Sequence, residues 1–395
     1  MGFKQAVVLA AGEGERLKPF TASKPKVMIK VANKPILQYV VEALERNGIR
    51  RIIFVVGYKK EKIMDYFEDG KALGVEIEYV VQKHLLGTGD ALRQAEGKTD
   101  KRFLVLPGDN VIQADTISDS GLLDIEENEN AILIKAHNDV SKYGVVMVEN
   151  GMVEDIIEKP SKEISNLVNT GIYAFENGIF KFLEDELTTG LLGMIRKGNR
   201  VKACETHGAW LDAVYPWDIL SLNSIVLREN PAKVEGKIER GVTIDGRVAI
   251  GKKSVIRANS YVKGPVIIGE NCEIGPNACI FPSTSIGNDV TIGAFTEIKN
   301  SVLTDMVKIG SFSSIQDSIF DSGTYAEGGF IARSEEADIE IGGEHLRVKI
   351  GAVVGEYCEI GSNVIASPGV IIGNRCRIKS MKELSGKIPD GSWVV

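Results

Sequence analysis

The stretch IGENCEIGPNACIFPSTSIGNDVTIGAFTEI, residues 268–298, carries an isoleucine at every sixth position. These isoleucines are Ile268, Ile274, Ile280, Ile286, Ile292 and Ile298. A glycine follows several of them. A fixed six-residue period is typical of a coil with three flat sides, because each side buries one aliphatic side chain before the chain turns a corner. The stretch therefore predicts a parallel β-helix.

The same repeat extends over the second part of the chain. Short Ile/Val–Gly units begin near Val234, and the period resumes after a break. The resumed positions are Val354, Ile360, Ala366, Ile372 and Ile378. Between the two blocks, residues 323–346 are rich in glycine and charge, so we expect them to form a protruding loop. The pattern thus predicts a β-helix domain over 231–395 with an insertion at 323–346.

Residues 1–230 follow a different pattern, in which apolar runs alternate with amphipathic segments. Apolar runs at 51–58 and 102–109 predict buried strands, and the spacing of apolar residues at 34–44 and 60–67 predicts helices. Strands that alternate with helices indicate a doubly wound, mostly parallel sheet. Ligands of such sheets bind at the carboxyl ends of the strands. Residues 1–230 are therefore expected to form an α/β domain with a ligand site at that edge of the sheet.

Composition narrows the possible functions. The chain has 395 residues, of which 44% are hydrophobic and 26% charged, as in an ordinary globular protein of two or three domains. Its formal charge of −7 argues against nucleic-acid binding. No apolar run approaches the length of a membrane span, and we expect no signal peptide. The five cysteines form no Cys-x-x-Cys pair, which favours a reduced, cytoplasmic protein.

The stretch VVLAAGEGERLKPF, residues 7–20, is a strand that breaks into a glycine-containing, basic loop. Gly12 and Gly14 allow the backbone to approach a bulky anion. The cations of the loop are Arg16, Lys18, Lys24 and Lys26. A Gly-x-Gly by itself is weak evidence, and an ordinary strand-to-loop turn with solvated lysines explains it equally well. The loop therefore indicates an anion site without identifying the anion.

Two further segments follow predicted strands. Gln82 could offer a donor and an acceptor to a nucleotide base, while Gly87 leaves room for backbone contact. Asp109 comes directly after a buried strand, where a carboxylate suits a Mg²⁺–phosphate site. Taken alone, Asp109 is more simply interpreted as a turn residue.

The run over residues 7–26 resembles the signature of sugar-1-phosphate nucleotidylyltransferases, roughly Leu-Ala-Ala-Gly-x-Gly-Thr-Arg-Leu-x-Pro-Leu-Thr with Pro-Lys a few residues on. Glu15 stands where Thr or Ser is usual. Other family motifs follow in order: Gln82 with Gly87-Thr88, Gly108-Asp109, Tyr143-Gly144-Val145, Glu158-Lys159-Pro160, Asn169-Thr170-Gly171-Ile172-Tyr173 and Gly208-Ala209-Trp210-Leu211-Asp212. The glycine that usually follows the last aspartate segment is absent.

The resemblance implies a role for each matched residue. The catalytic residues would be Arg16 and Lys26. The nucleotide would be bound by Leu9, Ala11, Gly12, Gly14, Gln82, Gly87 and Thr88. The sugar phosphate would be bound by Gly144, Glu158, Lys159 and Asn169. The implied cofactor is Mg²⁺, with Asp109 and Asp212 as its ligands.

The implied reaction joins a nucleoside triphosphate to a sugar 1-phosphate and releases pyrophosphate. Gln82 favours dTTP or UTP, and glucose 1-phosphate is our first choice of sugar, with N-acetylglucosamine 1-phosphate second. Three alternatives remain: a mannose-1-phosphate guanylyltransferase, a bifunctional enzyme with a C-terminal acetyltransferase, or a regulatory nucleotide-sugar-binding subunit. The intact matched residues Arg16, Lys26, Asp109, Lys159 and Asp212 argue against the regulatory subunit.

The repeat domain resembles the left-handed β-helix of hexapeptide acyltransferases, which implies a homotrimer. Related archaeal bifunctional enzymes carry an acetyltransferase histidine in a Lys-Ile-Pro-His-Leu-Ser-Tyr segment. The matching stretch here is Lys308–Ser314, with Ser311 at the histidine position. The domain's one histidine is His345, in the insertion. We therefore expect the second domain to be a structural, trimerising prism with room for a regulator, rather than an acetyltransferase.

Overall fold

The computed structural model describes residues 2–138, 140–158, 160 and 164–395. Their contacts divide into two compact units. The first unit consists of the chain up to Glu13, Lys24–Met28 and Pro35–Asp212, and the second consists of Gly14–Ser23, Ile29–Lys34 and Ala213–Val395. The units therefore do not correspond to a single cut in the sequence, because two short segments of the N-terminal region group with the C-terminal part.

A nine-stranded sheet forms the centre of the first unit. Its strands, in spatial order, are Glu76–Val81, Arg51–Val56, Gln5–Ala10, Arg102–Pro107, Leu167–Glu176, Asn130–Ala136, Val201–Glu205, Met152–Glu158 and Gly144–Glu149. The first four run parallel to one another, whereas the other five include antiparallel pairs. The doubly wound α/β fold is confirmed, with a mixed second half of the sheet.

The strand Gln5–Ala10 lies between two parallel neighbours. Its Leu9 is aligned with Val55 on one side and with Pro107 on the other. Nearly all of its side chains are buried, as expected where helices cover both faces of a parallel sheet. The residues that follow the carboxyl ends of the four parallel strands are Ala11, Gly57, Gln82 and Gly108. They leave the sheet at the edge where parallel sheets bind ligands.

Helices of the first unit cover its sheet, whereas the helix Asp218–Leu227 belongs to the second unit. The α-helices of the described chain are Ile36–Arg46, Lys60–Phe67, Thr88–Arg93, Ala114–Ser118, Leu187–Arg196 and Asp218–Leu227. The 3₁₀-helices are Glu15–Leu17, Phe20–Ala22, Lys26–Met28, Lys71–Leu73, Leu122–Asp124 and Asn177–Lys181, and four short strands lie at Lys30–Val31, Lys34–Pro35, Asn110–Ile112 and Trp210–Asp212. Among the described residues, no helix combines the length and apolar character needed to cross a membrane.

Three parallel sheets make up the β-helix of the second unit. The first contains Lys233–Val234, Val248–Ile250, Val266–Ile268, Thr284–Ile286, Val302–Leu303, Ile319–Phe320, Ala352–Val354, Val370–Ile372 and Lys387–Ile388. The second contains Lys237–Ile238, Val255–Ile256, Glu273–Ile274, Thr291–Ile292, Lys308–Ile309, Tyr325–Ala326, Glu359–Ile360, Arg377–Ile378 and Trp393–Val394. The third contains Thr243–Asp245, Tyr261–Lys263, Cys279–Ile280, Glu297–Lys299, Ser314–Gln316, Ile331–Ala332, Ile365–Ala366 and Glu383–Leu384.

The six isoleucines of residues 268–298 all point into this β-helix and are buried. Each coil pairs in register with the next, so Ile268 is aligned with Ile286 and Ile274 with Ile292. This is the architecture that the six-residue period predicts, and it agrees with the expected left-handed parallel β-helix.

The break in the repeat is shorter than the expected 323–346, and it both begins and ends later in the sequence, with its last strand ending at Ile350. Tyr325–Ala326 and Ile331–Ala332 pair with the coils on both sides, so the β-helix continues through them. The excursion is a hairpin of two strands, Glu335–Ile341 and Glu344–Ile350. The prediction placed its start too early because the inward positions there are Ala326 and Ala332, which do not stand out as aliphatic repeats.

The short N-terminal segments of the second unit contact the β-helix and the preceding helix directly. The Asn374 side-chain amide donates to the Pro19 carbonyl at 3.0 Å. Lys30 forms an ion pair with Asp305. Asn33 Nδ2 donates to the Ile286 carbonyl at 2.7 Å. The backbone of residues 14–23 and 29–34 is thus supported by side chains and carbonyls from far along the chain.

Candidate active site

Lys26 and two aspartates converge in the first unit. The Lys26 ammonium donates to Asp109 Oδ2 and to Asp212 Oδ1, each at 2.7 Å. The Lys26 side chain is only 14% exposed. Both carboxylates therefore lie close enough to share one cation, and in this structure that cation is the ammonium of Lys26.

Local structure explains how these three residues meet. Asp109 lies in the tight turn between the strands Arg102–Pro107 and Asn110–Ile112. Asp212 ends the strand Trp210–Asp212 and is aligned directly opposite Asn110. Lys26 begins a 3₁₀-helix. One short antiparallel pair thus brings Asp109 and Asp212 together at the ligand edge of the main sheet. Lys26, which lies 83 and 186 positions earlier in the sequence, reaches both of them from its 3₁₀-helix.

The charges of Lys26, Asp109 and Asp212 make this cluster suitable for binding a cation. Burial lowers the pKa of Lys26, but the charges of Asp109 and Asp212 and their hydrogen bonds outweigh it and raise the pKa above its usual value. Lys26 is therefore cationic at neutral pH. Within the described residues, no cluster of three or more acidic, histidine or cysteine side chains forms a complete metal cage. A carboxylate pair fits Mg²⁺, which takes one or two carboxylates and fills its other positions with water and phosphate.

Gln82 is buried at the end of the strand Glu76–Val81, where its side chain closes the following loop. Its Nε2 donates to the Gly87 carbonyl at 3.1 Å and to Asp90 Oδ2 at 2.8 Å. Both amide hydrogens are therefore used within the loop, and the amide oxygen is the group that the side chain could present to a base.

Gly87 and Thr88 have structural contacts that the sequence did not reveal. A Cβ on Gly87, whose φ is +118°, would lie 2.3 Å from the Asp185 carbonyl oxygen. The Thr88 hydroxyl donates to Glu186 at 2.7 Å and accepts from the Leu187 N–H at 3.0 Å. The glycine is thus required by close packing, and Thr88 helps to begin the helix Leu187–Arg196.

The predicted sugar-phosphate residues lie on three neighbouring strands. Gly144 is aligned with Glu158, and a Cβ on Gly144 would lie 2.9 Å from the Glu158 carboxylate. Asn169 Nδ2 donates to the Tyr173 hydroxyl at 2.8 Å, and its oxygen accepts from the Gly171 N–H. Lys159, the remaining member of this set, lies outside the described residues.

The glycine-containing, basic loop that follows the strand Gln5–Ala10 is divided between the two units. Leu9, Ala11 and Gly12 belong to the first unit, where the Leu9 carbonyl accepts from Gly108 and the Ala11 carbonyl accepts from Tyr58. A Cβ on Gly12 would meet nothing within 4 Å, so the space beside it is open.

Gly14 and Arg16 belong to the second unit. Gly14 has a φ of +79° and precedes the 3₁₀-helix Glu15–Leu17. Arg16 is half exposed, and its Nη2 donates to Glu344 Oε1 at 3.2 Å. The Glu15 side chain is exposed.

The sequence patterns did not single out several residues that lie at the site. Tyr173 is buried, and burial, together with the nearby charges of Glu158 and Glu186, raises its pKa. Asn110 Oδ1 is buried without a hydrogen-bond partner beside Asp109. Trp210 Nε1 donates to the Thr170 carbonyl at 3.1 Å. Tyr173 and Trp210 stand inside the matched motifs and could have been included on that ground, whereas Glu186 has no sequence signal.

Comparisons with known proteins match both parts of the chain. Residues 5–228 match the family model described as nucleotidyl transferase. Residues 262–328 match the GMPPB C-terminal domain, and residues 351–380 match the hexapeptide repeat of succinyl-transferase.

Among curated relatives, the bifunctional protein GlmU of Methanococcus maripaludis is 36% identical, with 98% of this chain and 96% of the relative covered. The bifunctional sugar-1-phosphate nucleotidylyltransferase/acetyltransferase of Sulfurisphaera tokodaii is 34% identical, with 95% of each covered. A solved structure of UDP-glucose pyrophosphorylase with UDP-glucose matches with a TM-score of 0.51 and 25% identity, covering 58% of this chain and all of that one.

The position of the Lys26 ammonium makes a testable prediction about free metal. In Lys26→Met the two carboxylates lose their shared cation, so we expect Mn²⁺ to bind the nucleotide-free variant about tenfold more tightly than wild type. Electron paramagnetic resonance of free Mn²⁺ measures this. Lys30→Met, which removes an ammonium paired with Asp305 instead, is the control. Equal Mn²⁺ affinity in wild type and Lys26→Met would show that the Lys26 ammonium does not compete with a metal ion for the two carboxylates.

Proposed function

Because the chain belongs to the nucleotidyl transferase family, we propose that it is an enzyme that joins a nucleoside triphosphate to a sugar 1-phosphate and releases pyrophosphate. The observation that carries the proposal is the meeting of Lys26, Asp109 and Asp212 at the ligand edge of the sheet. A buried cation beside two carboxylates that suit a metal is what a reaction between two phosphates needs.

The mechanism follows from charge. A sugar-phosphate oxygen attacks the α-phosphorus in line and displaces pyrophosphate, and no base is needed because the nucleophile is already an anion. Catalysis then consists of alignment and charge neutralisation. Asp109 and Asp212 would hold Mg²⁺, which would supply positive charge against the phosphates. Lys26 neutralises the α-phosphate, Arg16 and the Gly12–Gly14 backbone bind the triphosphate, and Lys159 binds the sugar phosphate.

For the nucleotide, we propose dTTP or UTP. The amide hydrogens of Gln82 are used within its own loop, so its oxygen is left to accept a hydrogen bond. Thymine and uracil carry an N3–H donor that matches this acceptor, whereas cytosine has an acceptor at N3. Guanine also has a donor at N1, so a guanylyltransferase acting on mannose 1-phosphate is the second candidate. The match to the GMPPB C-terminal domain favours testing it.

For the sugar, we propose glucose 1-phosphate first and N-acetylglucosamine 1-phosphate second. Glu158 and Asn169, on the two strands that flank the strand of Gly144, would bond hydroxyl groups, and Gly144 would contribute its backbone. Asn169 is oriented by Tyr173 and Gly171, which holds its amide in a defined direction.

Substitution of the three central residues tests the reaction. We expect Lys26→Ala, Asp109→Ala and Asp212→Ala each to lower turnover by about a hundredfold or more, because each removes charge that acts on the reacting phosphates. EDTA should also stop turnover. Pyrophosphate release is measured over a matrix of nucleotides and sugar phosphates. Asp115→Ala, an exposed aspartate of the same unit, is the control. Wild-type rates in any of the three would remove that residue's assigned role.

The second domain is proposed to act without acetyl transfer, although the relatives carry the name bifunctional. An acetyltransferase base is missing from the matching segment, where Ser311 replaces the histidine. His345 lies on an exposed hairpin strand. We expect no thiol release above background when the protein is incubated with acetyl-CoA and glucosamine 1-phosphate. Thiol release at an enzyme-like rate, followed with a thiol reagent, would make the protein bifunctional.

We also propose that the β-helix forms a homotrimer in the cytoplasm. Phe295 and Phe312 stack at 5.3 Å on successive corners of the β-helix and are 57% and 69% exposed. Such an apolar ladder is suited to burial against a second copy.

The oligomer prediction can be checked directly. Light scattering should give three times the chain mass of 42.9 kDa for wild type. Replacing both Phe295 and Phe312 by Asp should lower the mass to that of the monomer, because buried charge is costly at an interface. Met64→Asp, at an exposed position in the first unit, should remain trimeric. A monomeric wild type would contradict the proposal.

A further inference from the structure

The hairpin of the second unit carries Glu344 beside its turn. The Glu344 carboxylate contacts the basic loop that follows the first strand. Glu344 Oε1 accepts from Arg16 Nη2 at 3.2 Å, and Glu344 Oε2 accepts from the Tyr215 hydroxyl at 2.5 Å. One carboxylate from the β-helix insertion thus joins the glycine loop to the segment that follows Asp212 in the sequence. The nucleotidyltransferase signature predicts neither contact.

The position of Glu344 is well determined by the hairpin. Ile341 and Glu344 are aligned across a two-residue turn made of Gly342 and Gly343, whose φ values are +61° and +80°. Two successive positive φ values are those of a type I′ turn, which keeps the hairpin strands in register. Glu344 is the first residue after this turn, so its direction follows from the turn geometry.

The hairpin is also packed against the β-helix. Ile339 and Ile341 are buried although the hairpin leaves the coil. A Cβ on Gly369, which has a φ of +78°, would lie 2.6 Å from Ala337 Cβ. Only glycine allows this close approach. The hairpin is thus an arm fixed to the β-helix near its base, with Glu344 at its tip.

Tyr215 holds the other oxygen of Glu344. Its ring is buried and stacks on Trp217 at 5.0 Å. Its backbone N–H donates to Asp218 Oδ2 at 2.8 Å. Burial, and then the hydrogen bond and charge of Glu344, raise the pKa of the Tyr215 phenol, so the hydroxyl remains a donor. Glu344 is therefore oriented from both sides, by the turn and by Tyr215.

We propose that Glu344 is a positioning residue for nucleotide binding: it holds the Arg16 guanidinium in place for a triphosphate. This inference rests on the proposed function of Arg16. The contact uses one of the five N–H donors of the guanidinium, and Arg16 remains about half exposed, which leaves the planar group able to bind phosphate oxygens. A long side chain held in one orientation loses less conformational entropy on binding than a solvated one.

The same loop has a second support. The Asn374 amide donates to the Pro19 carbonyl at 3.0 Å, and Asn374 is buried. Asn374 is itself held by Asp390, whose Oδ1 accepts from the Asn374 backbone N–H at 2.8 Å. The β-helix thus contacts the loop at its backbone through Asn374 and at its arginine through Glu344.

Calorimetric titration with inorganic tripolyphosphate and Mg²⁺ tests the inference, since this probe needs neither a base nor turnover. We expect Glu344→Ala to weaken tripolyphosphate binding about tenfold, since a hydrogen bond to a charged group is lost. Glu344→Gln, which keeps the shape and loses the charge, should weaken it less. Glu340→Ala, at an exposed position on the same hairpin, is the control and should bind like wild type.

A double-mutant cycle separates positioning from general damage. Arg16→Ala should weaken binding, and adding Glu344→Ala to it should cause no further loss. In turnover assays, Glu344→Ala should raise the KM for the nucleotide and leave the KM for the sugar phosphate unchanged.

Unchanged or tighter tripolyphosphate binding by Glu344→Ala would overturn the inference, with tighter binding indicating that Glu344 competes with phosphate. Further loss in the Arg16→Ala background would also overturn it. If wild type binds tripolyphosphate with the expected Glu344 dependence but forms no nucleotide sugar with any substrate pair, the proposed reaction fails while this inference stands.

Discussion

The ammonium of Lys26 between Asp109 and Asp212 is the interaction on which the site of the first unit depends. Two partly buried carboxylates that share one ammonium would repel each other without it. Lys26 supplies that cation and keeps the turn after Pro107 and the strand Trp210–Asp212 together. In the proposed reaction, the group that compensates the carboxylates in the free protein is also the group needed beside a phosphate, so one lysine would serve both folding and chemistry.

Periodicity made much of the fold predictable. Helices expected at 34–44 and 60–67 are found at Ile36–Arg46 and Lys60–Phe67. They were predictable because the apolar face and the ends of each helix are determined by residues that are close together in the sequence. The β-helix was predictable for the same reason, since every coil repeats one local rule. The six-residue period was not recognised where its inward side chains are small. Ala326 and Ala332 fill these positions, and the start of the hairpin was therefore predicted too early.

Contacts between distant residues could not be predicted. Lys26 and Asp212 are 186 positions apart, and no local pattern indicates that they touch. Gly87 was expected to open the backbone to a base, yet the Asp185 carbonyl packs where a Cβ would stand. Glycine therefore has two explanations at such a position, ligand access and close packing. Only the residues that surround the glycine in the folded protein show which explanation applies, and one glycine can serve both ligand access and close packing.

The contacts of residues 14–23 explain why the β-helix would be retained without acetyl transfer. On the proposed function, Ser311 at the histidine position leaves acetyl transfer without its base, and this difference does not involve Glu344 or Asn374. Those side chains hold Arg16 and the Pro19 carbonyl from a scaffold in which every coil is hydrogen-bonded to the next. A loop that must align a polyanion gains from such support, because alignment supplies most of the rate when the nucleophile is already charged. On the proposed roles of Arg16 and Glu344, we therefore expect loss of the β-helix to weaken nucleotide binding even where acetyl chemistry is absent.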